Sequence, residues 1–387
     1  MSAQLLPGNQ IELLQSGVAF FPALLQAIRA ARQEVLLETY IFERDATGLE
    51  VAAALSEAAR RGVCVRLVVD GFGARDFVEH AIPELVADGV DVQVYRREIK
   101  LFSFRRHRLR RLHRKLAVVD GTVAFVGGIN IIDDIDIPGQ TPPRFDFAVQ
   151  LSGPVAAEVH EAMSRLWHTL LWARLRRRVR APRSLVPSRK HVGPMRAALV
   201  LRDSFRHRRD IEYAYLDALR SAQCDVLIAN AYFFPGRAFR HALVQAAARG
   251  VKVTLLLQGR VEYWLLYHAC RALYPHLMQS GVRIVEYRKS FLHAKVAVVD
   301  TDWSTVGSSN IDPFSLLLAR EANVLVRDEA FTAELRQALE RAISDGGVTL
   351  TADQWRRQTV WQRGLSWLAY GLMRAMLGLA GYAQRAL

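Results

Sequence analysis

The chain has 387 residues, 51% apolar and 23% charged, and its 52 Lys and Arg against 38 Asp and Glu give a formal net charge of +14. This is a globular composition rather than a disordered one, and the chain is long enough for two core-forming units. Cys64, Cys224 and Cys270 are widely spaced and form no CxxC or Cys/His pattern, which argues against a disulfide framework and for free thiols in a reducing compartment.

Along the chain, the N-terminal MSAQLLPGNQIELL lacks a basic stretch followed by an apolar one, so no secretory signal is expected. EVLLETYIF (34–42) and CVRLVVDG (64–71) read as buried parallel strands around a helix at 49–60. Another helix follows, then a turn at Gly89-Val90 and a strand ending at Tyr95. The second half repeats the order with DVLIANAYFF (225–234), a helix at 237–249, KVTLLLQG (252–259), a turn at Gly281-Val282 and a strand ending at Tyr287. This β-α-β-α order predicts an α/β fold with a helix-covered sheet in each half. The expected boundaries are a first half at 1–180, a basic, Pro-containing linker at 181–194, a second half at 195–350 and a separate segment at 351–387. No stretch reaches the roughly 18 uncharged apolar residues of a spanning helix.

The duplication is sharpest in two 19-residue stretches, LHRKLAVVDGTVAFVGGIN (112–130) and LHAKVAVVDTDWSTVGSSN (292–310). His113, Lys115, Asp120, Gly127 and Asn130 recur as His293, Lys295, Asp300, Gly307 and Asn310. The five-position pattern arises by chance at about one start point in several million. Residues two apart on a strand share a face, so each His points the same way as its Lys. Asp120 lies an odd number of residues away, at a Asp-Gly turn. Both aspartates therefore read as hairpin-shaping rather than as the acid of a triad. One imidazole can attack phosphorus and a second can move the proton. Lysines and asparagines would hold the phosphoryl oxygens, and glycines would let backbone approach the anion. One motif supplies half of such a site, and two facing motifs supply a complete one without a metal or cofactor. Asp133, Asp134 and Asp136 in NIIDDIDIP read as a loop near the site mouth rather than a metal centre.

The pattern HxKxxxxD followed by GxxN, twice per chain, resembles the phospholipase D superfamily. Over about residues 8–345, LLETYIF, ANAYFFPG, VGSSNIDPFSL and REANVLV make the chain similar to the bacterial cardiolipin synthases of the shorter type without N-terminal transmembrane helices. The resemblance implies two pseudo-twofold halves with the active site at their interface. It implies that His113 forms a phosphatidyl-histidine and that His293 is the general acid and base. Lys115, Lys295, Asn130 and Asn310 then bind the phosphoryl group, with Gly127, Gly307 and Ser308 beside them. Ser308 and Ser309, which replace Gly128 and Ile129, match the family's GSSN form. A carboxylate some thirty residues after each histidine orients it in the family, which points to Asp146 after His113 and Glu321 after His293.

Two basic regions argue for a polyanionic partner. Ala162 to Arg202 contains no carboxylate and includes Arg174, Arg176, Arg177, Arg178 and Arg180. Lys100 to Val119 contains none either, and Arg105, Arg106, Arg108, Arg110, Arg111 and Arg114 crowd the approach to His113. In the tail, Arg363, Arg374 and Arg385 recur every 11 residues, with Ser366 and Tyr370 between them. Trp361, Trp367, Leu368, Leu372, Met376 and Leu379 cover the rest, as in a helix lying in a membrane interface. The expected partner is anionic phospholipid at the cytoplasmic face of a bacterial inner membrane, with the protein peripheral, and no nucleic acid is expected. The expected reaction makes cardiolipin and glycerol from two phosphatidylglycerol molecules. The alternatives are a phospholipase D-type hydrolase or head-group exchanger, and a nucleic-acid phosphodiesterase.

Overall fold

The computed structural model describes residues 4–96, 110–135, 141–173, 185–203, 206–312, 315, 319–351, 355 and 359–379. The basic stretches 97–109 and 174–184, Asp136 and Arg385 lie outside the described residues.

In the first half the elements are β1 (Leu6–Gln15), α1 (Ser16–Ala30), β2 (Glu34–Thr39), α2 (Ala46–Arg60), β3 (Cys64–Asp70), α3 (Arg75–His80), α4 (Ile82–Ala87), β4 (Asp91–Tyr95), β5 (Lys115–Val119), β6 (Val123–Gly127), β7 (Phe147–Ser152) and α5 (Pro154–Ala173). The second half repeats them as β8 (Met195–Arg202), α6 (Asp210–Ser221), β9 (Asp225–Asn230), α7 (Arg237–Ala248), β10 (Lys252–Gln258), α8 (Trp264–Arg271), α9 (Tyr274–Gln279), β11 (Arg283–Tyr287), β12 (Lys295–Val299), β13 (Trp303–Gly307), β14 (Glu321–Arg327) and α10 (Glu329–Gly346). A short β15 (Gly347–Thr349) and α11 (Val360–Leu379) follow.

The strands form one sheet in the order β15-β11-β10-β9-β12-β13-β14-β8-β1-β7-β6-β5-β2-β3-β4. Apart from the extra edge strand β15, the order reads the same outward in both directions from the β8–β1 pair, so the pseudo-twofold passes between those two strands. Within each half three parallel strands carry the helical crossovers, and an antiparallel trio returns to the centre. The sequence suggests a sheet for each half; the chain joins both into one, because β1 pairs antiparallel with β7 and with β8.

The core explains why the halves do not separate. α1 and α2 cover one sheet face of the first half, and α6 and α7 cover the matching face of the second. A third cluster on the opposite face draws on both halves, with Leu116, Val126 and Phe147 beside Leu292, Val296 and Val324, roofed partly by Phe331 and Leu335 of α10. Each fully buried Leu or Val contributes about 2 kcal/mol of transfer free energy, so this shared cluster acts as one core rather than a docking surface.

α11 packs against α8 through Ser366, Ala369 and Met373, which are buried. Tyr370 Oη accepts hydrogen bonds from Arg240 and Arg374, each 3.3 Å. The face carrying Ser366 and Tyr370 therefore turns to the protein and not to lipid, a correction to the sequence expectation. Trp361, Trp367, Leu368, Leu372 and Met376 are the exposed side. Among the described residues no helix is long and apolar enough to cross a membrane.

Candidate active site

Two hairpins build the site. β5 turns into β6 at Asp120-Gly121, where φ is 50° and 61°, as a tight turn between right-twisted strands requires. β12 turns into β13 at Asp300, with φ 48°. Asp120 accepts hydrogen bonds from the backbone N–H groups of Arg32, Gln33 and Glu34, at 2.7–2.9 Å. Asp300 accepts from Gln223, Cys224 and Asp225 in the same way. Partial burial would raise the Asp300 carboxyl, but these N–H donors hold it below the usual carboxylate range. Both aspartates fasten the start of a parallel strand. The length of β5 or β12 separates each from its Lys, about 16 Å at 3.3 Å per residue. Asp120 and Asp300 thus share the motif with the histidines but not their location.

The opposite ends of β5 and β12 meet at the pseudo-twofold. The segment entering β5 runs beside the segment entering β14, with His113 N–H donating to Arg320 O at 3.0 Å. The segment entering β12 runs beside the one entering β7, with His293 N–H donating to Phe145 O at 2.9 Å. These two crossed bridges decide which carboxylate reaches which imidazole. His113 Nδ1 lies 3.0 Å from Glu321 Oε1, and His293 Nδ1 lies 2.6 Å from Asp146 Oδ2. Each histidine is held by a carboxylate of the other half. This corrects the in-sequence pairing of His113 with Asp146 and His293 with Glu321. Along one strand the carboxylate follows its own motif, but across the sheet it faces the other.

Burial sets the electrostatics. It lowers the His113 imidazole against the opposing pull of Glu321, with Lys115 adding to the fall. It pushes His293 down to about 3, with Lys295 adding and Asp146 opposing. Burial also pushes Lys115 down to about 7, opposed by Glu321, and Lys295 to about 8, opposed by Asp146. Each motif's lysine acts on the other motif's histidine, so the four cations-in-waiting form a single centre. Lys115 and Lys295 each donate to the backbone O of the histidine two residues before. With Nδ1 committed to a carboxylate, Nε2 is the imidazole atom left for chemistry, and it carries no hydrogen bond among the described residues.

The remaining expected site residues divide. Asn130 and Asn310 are buried at the strand ends, and Asn130 Oδ1 accepts from the Ile41 N–H at 3.2 Å. Gly127 and Gly307 serve packing: a Cβ on Gly127 would lie 2.5 Å from Ala148 Cα, and one on Gly307 2.3 Å from Asn323 Cγ. Ser308 is buried and gives its hydroxyl to Glu321 Oε2 at 2.6 Å. Its counterpart Gly128 leaves room for Asp146, whose Oδ1 would be 2.4 Å from an added Cβ. Gly127, Gly307 and Ser308 therefore shape the scaffold and its carboxylates.

Two features were not read from the sequence. Arg114, counted there among the polyanion-binding arginines, is buried in a bidentate pair with Glu38, at 2.5 and 2.9 Å. Strand parity signals this, because Arg114 sits between His113 and Lys115 and must face away from them. Arg111 likewise points at the buried Asp70, 3.5 Å away. The second feature is Tyr40, whose ring lies 4.9 Å from that of His113. Asp134 accepts from the Gly17 N–H at 2.7 Å. Among the described residues no group of three His, Cys, Asp or Glu side chains is arranged to hold a metal.

A duplicated sheet with two crossed His–carboxylate dyads and paired lysines at one centre defines a phospholipase D-like enzyme. The family model described as cardiolipin synthase, PLD-like domain, matches residues 24–135 and 215–343. Cardiolipin synthase B of Shigella flexneri is 38% identical over 384 residues, which cover 97% of this chain and 90% of that protein. Cardiolipin synthase A of Pseudomonas fluorescens is 33% identical over 344 residues, 86% of this chain and 68% of that one. The crystal structure of phosphatidylserine synthase from Haemophilus influenzae Rd KW20 has the same fold, with a TM-score of 0.71 and 13% identity over 100% of this chain and 97% of that one. The chain belongs to the cardiolipin synthase-like phosphatidyltransferases of the phospholipase D superfamily.

Proposed function

We propose that the protein makes cardiolipin and glycerol from two molecules of phosphatidylglycerol. His113 Nε2 attacks phosphorus, the P–O bond to the head-group glycerol breaks, and His293 gives the leaving oxygen its proton. His293 then takes a proton from a hydroxyl of the second phosphatidylglycerol. That oxygen attacks phosphorus, the P–N bond breaks and His113 is restored. Lys115, Lys295, Asn130 and Asn310 hold the phosphoryl oxygens and offset charge in the transition state. Burial keeps His113 neutral for attack. A phosphodiester anion beside His293 raises it toward the protonated form that the acid role needs.

The observation that carries this reading is the pair of crossed dyads, each leaving one Nε2 at a centre shared with two lysines. Likeness to cardiolipin synthases along 97% of the chain supports the choice of substrate. The exposed Trp367, Leu368, Leu372 and Met376 of α11 support peripheral attachment to a membrane surface, which this reading places at the cytoplasmic face of the inner membrane. The test is incubation of purified protein with labelled phosphatidylglycerol, with and without EDTA. Cardiolipin plus glycerol in both arms is expected. Phosphatidic acid alone would make the enzyme a hydrolase, and cleavage of an oligonucleotide without lipid turnover would overturn the lipid reading.

A further inference from the structure

The two motifs keep the same His, Lys, Asp, Gly and Asn positions, yet the surroundings of their histidines differ. The rings of Tyr40 and His113 are 4.9 Å apart at an interplanar angle of 56°. Lys115 Nζ lies over the same Tyr40 ring, 5.5 Å from its centroid. The tyrosine is wedged from behind: a Cβ on Gly73 would lie 2.9 Å from Tyr40 Cε2 and 3.0 Å from Cδ2. Glycine at 73 is thus what admits the ring.

The registers of β2 on β5 and of β9 on β12 align Val35 with Val226, and so Tyr40 with Ala231. Ala231 is buried, and its N–H donates to Ala294 O at 3.0 Å. A methyl group cannot clamp an imidazole, and among the described residues no ring stacks on His293. Both histidines are held at Nδ1 and at the backbone N–H, and His113 alone, among the described residues, also has an aromatic ring tilted against its imidazole.

We infer that Tyr40 is the positioning residue that makes the two histidines unequal, its ring fixing the His113 imidazole for in-line attack on phosphorus. This rests on the proposed two-histidine reaction and adds to it a physical reason for the division of labour. An attacking nitrogen must hold its lone pair on one line with the leaving oxygen. The aromatic face does the clamping and the phenol oxygen is not needed, because ring-face and cation–π contacts belong to the π system.

The test compares Tyr40→Phe and Tyr40→Ala in the full-length enzyme, with bis(p-nitrophenyl) phosphate as a lipid-free donor and rapid mixing to read the first release of p-nitrophenol. Tyr40→Ala is expected to slow the burst by about tenfold or more, and Tyr40→Phe by less than about threefold. Burst amplitude and melting temperature should stay near the parent's in both. The inference is overturned by a Tyr40→Ala burst at the parent rate, or by Tyr40→Phe falling as far as Tyr40→Ala. No burst in the unsubstituted enzyme would instead sink the covalent route. The same two variants are then compared on kcat for phosphatidyl transfer, with the same expectation and the same overturning outcomes.

Discussion

Glu321 of the second half, not Asp146 of the first, holds His113 Nδ1, at 3.0 Å. The crossed arrangement gives opposite forecasts for the two carboxylates. With a p-nitrophenyl donor the leaving group needs no proton, so the burst reports the attack at His113 alone. Glu321→Gln should then slow the burst by about a hundredfold, since a carboxylate orients the ring and stabilises the imidazolium-like transition state. Asp146→Asn should leave that burst nearly intact and slow turnover of phosphatidylglycerol, whose alkoxide must be protonated. A burst lost in Asp146→Asn and kept in Glu321→Gln would restore the in-sequence pairing.

Asp120 and Asp300 lie at the far ends of their strands and accept from three backbone N–H groups each. Substitution by Ala leaves those N–H groups without their acceptor in a partly buried turn. Each variant should lose about 1–3 kcal/mol of stability in urea unfolding. Activity per folded molecule should remain within a few-fold of the parent. A folded, full-stability Asp120→Ala protein without activity would move the aspartate back into the chemistry.

Much of this was legible in the chain. The α/β class and the alternation of strand and helix follow from short β-branched runs and periodic helices, which are local signals. The His-x-Lys face and the hairpin role of Asp120 follow from strand parity and an Asp-Gly turn. The pairing of Glu321 with His113 was not legible, because it depends on which entering segments lie side by side across the pseudo-twofold, a relation between residues 208 apart. Nothing local in LLETYIF marks Tyr40, because its contrast with Ala231 depends on the equivalence of β2 and β9. The tail showed two candidate faces in sequence, and α8 decided which one is buried.

Gly128 and Ser308 occupy the same place in the two repeats, beneath a short carboxylate and a long one. Gly128→Ala would set a Cβ 2.4 Å from Asp146 Oδ1 and force that side chain away from His293. Phosphatidyl transfer should fall by about tenfold or more while the donor burst survives. Ser308→Ala removes the hydroxyl that holds Glu321 Oε2 and should weaken the burst itself. Equal effects of the two substitutions on both steps would show that the dyads do not act separately.

The exposed side of α11 gives a prediction about membranes. Trp367→Glu with Leu368→Glu places two charges where the helix would meet acyl chains. Cosedimentation with vesicles containing phosphatidylglycerol should drop by about tenfold or more, with turnover of a short-chain monomeric substrate unchanged. Unchanged cosedimentation would remove α11 from the membrane contact.

The lysines make substrate binding a proton-linked event. Burial holds Lys115 at about 7 and Lys295 at about 8, below the ordinary 10.5. A phosphodiester anion between them favours the ammonium forms, so binding at pH 7.5 must take up protons. The same lowering fixes the sign of the stability change. A base whose folded value lies below its unfolded one binds protons more readily in the unfolded chain. Stability then rises with pH between the two values, from about 7 to 10.5 for Lys115, and falls as pH drops from 6.5 toward about 3 for His293. Calorimetric titration with short-chain phosphatidylglycerol, in buffers of differing ionisation enthalpy at pH 7.5, measures the uptake directly. Net uptake of a fraction of a proton or more is expected, and Lys115→Met should reduce it. Proton release, or no exchange at all, would mean that the lysines are already charged in the empty site and that burial does not govern them.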